Sequence, residues 1–144
     1  MSIINLRQES YIMTNQEKAV NMYQNGYSCA QAVMGSLCEQ LGMKFDEGVK
    51  IASPYCGGIA GTKDICGAVN AAILLISLKH GYSDAGNDEA KKAQNEIVKK
   101  FLEYFKEQNG SIHCRDIFTC DEDKKTKCPA AIMSAVKYIE ENIF

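Results

Sequence analysis

Residues 65–81 read ICGAVNAAILLISLKHG. From Ile65 to Lys79 the segment is apolar on almost every side, and a helix of that character belongs in a core. Asp64 is expected to cap it, with His80 and Gly81 closing it. Its continuous run, Ala68 to Leu78, is far short of the roughly 20 apolar residues of a membrane-spanning helix. Gly67, Ala68, Ala71 and Ala72 would let neighbours approach its first turns closely.

On the N-terminal side, Thr14 and Glu17 form a capping box, and Ala19, Val20, Met22 and Tyr23 supply an apolar face, so a helix is expected over 14–25 with Gly26 stopping it. Ser28 and Gln31 repeat the pattern. Ala30, Val33, Met34, Leu37, Cys38 and Leu41 then predict a second helix ending near Gly42. A short third helix is expected from Asp46 to Ser53, limited by Pro54. On the C-terminal side Asn87 opens a long amphipathic helix ending at Gly110. Ala90, Ala93, Ile97, Phe101 and Phe105 should face inward there, with Glu96 and Lys100 paired outside. Ser111 should cap a short segment containing Cys114, Ile117 and Phe118. After DEDKKTK (121–127), Cys128 precedes Pro129 in a favoured first helical position.

No stretch alternates with period two. The expectation is an all-α, single-domain bundle of five to six helices around the apolar helix, spanning 14–144 after a loose N-terminal extension, residues 1–13. Met13 is an alternative start.

With 144 residues, 46% hydrophobic and 24% charged, no Trp and two Pro, the composition is that of one soluble helical domain. A formal charge of −2 gives no electrostatic case for nucleic acid or an anionic membrane. The N-terminal MSIINLRQESYIMTNQ lacks a basic region and an apolar run of the secretory kind, so a cytoplasmic protein is expected. Seven cysteines in a reducing compartment call for burial or for chemistry.

Four of them share a position. Cys29 follows Ser28, Cys66 follows Asp64 by two, Cys114 follows Ser111, and Cys128 precedes Pro129, all at expected helix starts. Unpaired N–H groups and the helix dipole stabilise a thiolate there, lowering its pKa below the free value of about 8.5. A lowered pKa suits both a metal ligand and a redox nucleophile. The same positions also suit cysteines packed as small hydrophobes, the reading that fits Cys38 on its apolar stripe. Cys56 and Cys120 are auxiliary thiols. Gly57, Gly58 and Gly61 form a loop in which backbone can approach a ligand, and Gly67 follows Cys66.

GGIAGTKD (57–64) lacks the Gly-Lys-Ser/Thr ending of a phosphate loop. No C-x-x-C occurs, so a zinc ribbon, a thioredoxin-type dithiol and attached c-type haem all lack their signatures. His80 suits the negative end of its helix dipole, and His113 beside Cys114 is a proton donor or a spare ligand.

The succession YSCAQAV, GGIAG, CGAVNAA, GSIHCRD and a last cysteine before a terminal helix resembles a family of small redox-active proteins named for its C_GCAxxG_C_C pattern. The resemblance runs from Thr14 to the C-terminus. It implies that the family's four characteristic cysteines are Cys29, Cys66, Cys114 and Cys128, the four selected by helix position. Ala71 stands where the pattern ends in glycine. The domain is also similar to one in split-Soret cytochromes c, which implies that such a cysteine set can hold an iron centre, although this chain has no haem motif. The preferred expectation is an iron–sulfur cluster or other thiolate-bound metal on Cys29, Cys66, Cys114 and Cys128, with no haem, serving electron transfer or redox sensing with an unknown partner. A homodimer is compatible with the sequence, whereas nucleic acid and membrane insertion are not expected. Two alternatives stay open: a metal-free thiol/disulfide protein, with Cys56 or Cys120 as a resolving thiol, and a helical interaction module with structural cysteines.

Overall fold

Two reciprocal capping boxes start the bundle. Thr14 Oγ1 accepts from Glu17 N at 3.1 Å while Thr14 N donates to Glu17 Oε1 at 3.2 Å, opening α1 (Asn15–Gln24). Ser28 and Gln31 do the same for α2 (Cys29–Leu37). The computed structural model describes residues 12–144, so most of the expected N-terminal extension, residues 1–11, lies outside the described residues.

α2 tightens into a 3₁₀ turn, Cys38–Leu41, which ends at Gly42 with φ 89°. α3 (Phe45–Ala52) runs into a second 3₁₀ turn, Ser53–Tyr55, that holds Pro54. Then come α4 (Gly67–His80), α5 (Asp88–Asn109), α6 (Cys114–Ile117), a 3₁₀ turn (Asp121–Lys124) and α7 (Lys127–Asn142). The fold is all-α as expected. Seven α-helices are present among the described residues, because the short segment after Ser111 winds into one helical turn of its own.

α4 lies in the core, with Ala68, Val69, Ala71, Ala72, Leu75 and Ile76 buried. Its other face is more open than its composition implies: Ile73, Leu74 and Leu78 are half-buried and Ser77 is exposed. The more fully enclosed helix is α2, where Ala30 and every residue from Ala32 to Leu37 are buried among α1, α3, α4 and α7. Asn70, the polar residue in α4's first turns, donates to the carbonyls of Ile65 and Cys66 and secures the helix entrance. Phe101 and Phe105 of α5 are fully buried, and the Phe101 ring lies 5.3 Å from that of Tyr138 on α7. Ala93 is exposed, contrary to the expected inward stripe, and its neighbour Gln94 is half-buried instead, lining a groove with Ile73 and Ser77 of α4. Glu96 pairs with Lys99 at 3.7 Å, not with Lys100.

Three helix entrances differ from expectation in a way that matters for the cysteines. Asp64 does not cap α4; Cys66 itself occupies the N-cap. The cause is an isolated antiparallel bridge between Ile65 and His113, in which Cys66 N donates to Ile112 O at 2.8 Å and Cys114 N to Asp64 O at 2.7 Å. The same pairing makes His113, not Ser111, the residue before α6, while Ser111 Oγ accepts from His113 N and donates to Asp116. α7 begins at Lys127, which puts Cys128 second and Pro129 third in the helix. Proline is tolerated there because first-turn N–H groups have no helical acceptor. No helix among the described residues is long and apolar enough to cross a membrane.

Because Phe101 fills the junction of α5 and α7, Phe101→Ala should lower unfolding free energy by about 3–5 kcal/mol. Ala93→Ser should change it by less than about 0.5 kcal/mol. Urea denaturation followed by circular dichroism checks both.

Candidate functional site

Between α3 and α4 the chain coils the wrong way for L-residues. Gly57, Gly58, Ile59, Ala60 and Gly61 are consecutive left-handed residues, with φ of 58°, 69°, 68°, 51° and 75°. Ile59 and Ala60 each cost about 1–2 kcal/mol in that region. Backbone bonds offset this: Ala60 N donates to Pro54 O at 2.8 Å, Gly61 N to Cys56 O at 3.0 Å, and Asp64 N to Gly58 O at 2.8 Å. The coil brings Gly58 hard against Cys114, where a Cβ on Gly58 would stand 2.6 Å from the cysteine's own Cβ. Gly57 forms part of the adjoining cavity wall.

That cavity, of about 230 Å³, is lined by Cys29, Cys66, Cys114 and Cys128 together. Each comes from a different helix entrance: the first residue of α2, the N-cap of α4, the first residue of α6 and the second of α7. Tyr23, Ile117, Phe118 and Ala131 complete much of the wall, and the one charged side chain in the lining is Lys124. All seven cysteines are free thiols.

The four sulfurs are not equivalent. The Cys66 thiol donates a hydrogen bond to Cys29, and backbone N–H groups of Ala30, Gly67 and Ala68 point at the same sulfur, holding the Cys29 pKa down to about 7 despite its burial. Being the donor, and buried, Cys66 is pushed up. Gly67 makes this seat available. A Cβ there would lie 2.6 Å from Cys29 Sγ and 2.8 Å from the Tyr55 carbonyl oxygen. Burial raises Cys114, and the nearby Cys29 adds to the effect. Cys128 is pushed up to about 11, mainly by burial, although the Tyr23 hydroxyl donates to it. Tyr23 faces Cys128, Cys29 and Cys114, and its own pKa rises through burial first and then these neighbours.

Tyr23 is the site residue that sequence reading missed. It sits on the apolar face of α1, where an aromatic at helical spacing reads as core. The available signal was its hydroxyl, which needs a partner when enclosed. Cys56 and Cys120 are both exposed and neither lines the cavity; Cys120 is the N-cap of the 3₁₀ turn at 121–124. Cys38 is fully buried in the core as expected, its sulfur packed against Gly48. His113 is absent from the cavity lining, and His80 sits in the last turn of α4. Among the described residues no three His, Cys, Asp or Glu side chains are grouped closely enough to hold a metal ion.

Residues 27–142 match the family model described as "Putative redox-active protein (C_GCAxxG_C_C)". The chain belongs to this family. It is also similar to a protein of Archaeoglobus fulgidus described as uncharacterized, 26% identical over 134 residues that cover 83% of this chain and 87% of the relative. No solved structure matches the chain significantly. The C-G-A step of this redox-active family has a direct physical role here, since Cys66 faces the cavity and Gly67 vacates the space that Cys29 Sγ fills. Ala71, where the family pattern has glycine, is fully buried in α4 and does not line the cavity.

Three outcomes follow from this geometry. Gly67→Ala should cost about 1–3 kcal/mol in stability by overpacking, and should displace Cys29, read as faster alkylation of that thiol in native protein. In the metal-free protein Cys29 should react with iodoacetamide with a midpoint near pH 7, the thiolate forming as pH rises, whereas Cys128 stays unreactive until about pH 11. Cys66→Ala removes the donor to Cys29 and should move the Cys29 midpoint upward, as read by peptide mass spectrometry.

Proposed function

We propose that the four-cysteine cavity holds an iron–sulfur or related thiolate-bound metal centre in a cytoplasmic protein, and that it serves electron transfer or redox sensing. The observation that carries this reading is the convergence of four thiols from four helix entrances on one enclosed space. The donor chemistry fits. Soft thiolates select iron–sulfur clusters, zinc or copper(I). No three His, Cys, Asp or Glu side chains among the described residues are grouped to hold a metal ion, so this reading requires the four thiols to draw closer together on binding.

Bound there, such a centre would supply a group that takes up and releases single electrons. Cys29, Cys66, Cys114 and Cys128 would hold it. The N–H groups of Ala30, Gly67 and Ala68 at Cys29, and the Tyr23 hydroxyl at Cys128, would disperse negative charge on the sulfurs and raise the reduction potential. Ile117, Phe118 and Ala131 would limit water at the thiolates.

One observation favours a second reading. The hydrogen-bonded Cys29 and Cys66 form a nucleophile with an adjacent resolving thiol. In metal-free chemistry the Cys29 thiolate would attack a substrate disulfide, and Cys66 would then displace the second substrate thiol, leaving a Cys29–Cys66 disulfide and two reduced substrate thiols. This pair takes the role for which Cys56 and Cys120 were candidates.

Anaerobic purification with iron, zinc and acid-labile sulfide analysis separates the two. The metal-centre reading predicts coloured protein with bound metal that is lost in Cys66→Ser. Colourless protein carrying a reducible Cys29–Cys66 disulfide would replace it with the second reading. Full biological function in a variant with all four cysteines changed to serine would defeat both and leave the helical interaction module.

A further inference from the structure

Phe118 lines the cavity, and two ammonium groups stand over that ring: Lys63 Nζ at 5.1 Å and Lys124 Nζ at 5.5 Å from its centroid. Neither lysine forms an ion pair among the described residues, where the pairs are Lys99–Glu96, Arg115–Asp64 and Lys127–Asp123. Several nearby acids are already engaged. Asp64 meets Arg115 at 3.9 Å, Asp116 accepts from Ser111, and buried Asp123 accepts from Thr119 and meets Lys127 at 3.7 Å. Asp121 and Glu122 in the 3₁₀ turn are exposed, but among the described residues no carboxylate lines the cavity. In a chain of net charge −2, two lysines without an ion pair among the described residues thus stand beside the cavity at Phe118.

Lys63 is also held in an unfavourable conformation. Its φ is 59°, in the region that favours glycine. Its N–H donates to Gly57 O, while its carbonyl accepts from Arg115 N at 3.1 Å and Arg115 Nε at 3.2 Å. A glycine would occupy this backbone with less strain. What lysine adds is the ammonium over Phe118, and strain retained beside a site is a pointer to use.

The charged rim continues outward. A shallower groove lined by Tyr23, Tyr27, Lys124, Lys125 and Pro129 shares Tyr23 and Lys124 with the cavity, and it too contains no carboxylate. Tyr27 and Ile59 are exposed. Exposed aromatic and aliphatic groups beside lysines make the mixed surface that protein partners bury.

We propose that this face docks an acidic redox partner protein, with Lys63 and Lys124 as the anchoring charges and Phe118 between partner and centre. The proposal rests on the reading of the cavity as a redox site. Partner carboxylates would meet the two ammonium groups, and electrons would enter or leave over the shortest exposed path to the cavity.

The test uses anaerobically isolated protein, a reduced flavodoxin as acidic probe and a cytochrome c as basic probe. Binding is followed by NMR shifts and electron exchange by stopped flow, in wild type and in Lys63→Gly/Lys124→Gln. Glycine at 63 relieves the backbone there, so the variant should fold. Flavodoxin should shift resonances around Phe118 and exchange electrons about tenfold faster at low than at high salt, with the variant about fivefold slower at low salt. The cytochrome should show no such loss. Unchanged flavodoxin binding and rate in the variant would overturn the proposal. So would equal shifts with free citrate, which would make the lysines a small-anion site, or a lowered reduction potential with flavodoxin binding intact, which would make them counter-charges of the centre. Flavodoxin binding at Phe118 that the variant abolishes, without electron exchange in either protein, would uphold the docking face and defeat the redox reading instead.

Discussion

The site depends on one contact: Cys29 Sγ resting on the bare Cα of Gly67. Any side chain at 67 would stand 2.6 Å from that sulfur. With glycine there, the first turn of α2 can press against the first turn of α4, and one sulfur receives N–H groups from both helices. Two helix entrances that would each attract a separate anion share one thiolate. The backbone bridge at Ile65 and His113 then sets Cys66 and Cys114 on adjacent chains, and the left-handed coil at 57–61 braces Cys114 through Gly58. Cys128 enters from α7, satisfied by the hydroxyl of Tyr23.

Strain and stability are distributed accordingly. The bundle's apolar packing is concentrated in α2, α4 and the Phe101–Tyr138 contact. Among the described residues the non-glycine positive-φ conformations, at Ile59, Ala60 and Lys63, lie in the segment that supplies Gly57 to the cavity wall. A core held by ordinary packing can carry such a segment. The sulfurs are then neither solvent-exposed thiols nor inert core residues, since they sit in an apolar cavity with N–H donors on one side and an opening on the other.

Much of this was legible in the residues. Both N-terminal capping boxes, the long α5 and the apolar α4 followed from local rules, because caps and 3.6-residue periodicity act within a few residues. The four cysteines were set apart from the other three by their places near expected α-helix starts, and all four line one cavity. What was not legible required partners distant in sequence. Asp64 looks like a cap until residues 64–66 pair with 112–114, and Ser111 fails as a cap for the same reason. Ala93 fits a helical stripe, but Gln94 takes the position beside α4. Tyr23 looks like core because its hydroxyl's partner, Cys128, is more than a hundred residues away.

The four thiols are expected to act as one unit, and their reactivity in the native protein tests this most directly. Under anaerobic conditions with a thiol-alkylating reagent and peptide mass spectrometry, Cys56 and Cys120 should label at once. Cys29, Cys66, Cys114 and Cys128 should stay protected together, and a chelator should lift that protection, with Cys29 reacting first near neutral pH and Cys128 last. Labelling of those four that is indifferent to chelator would contradict it.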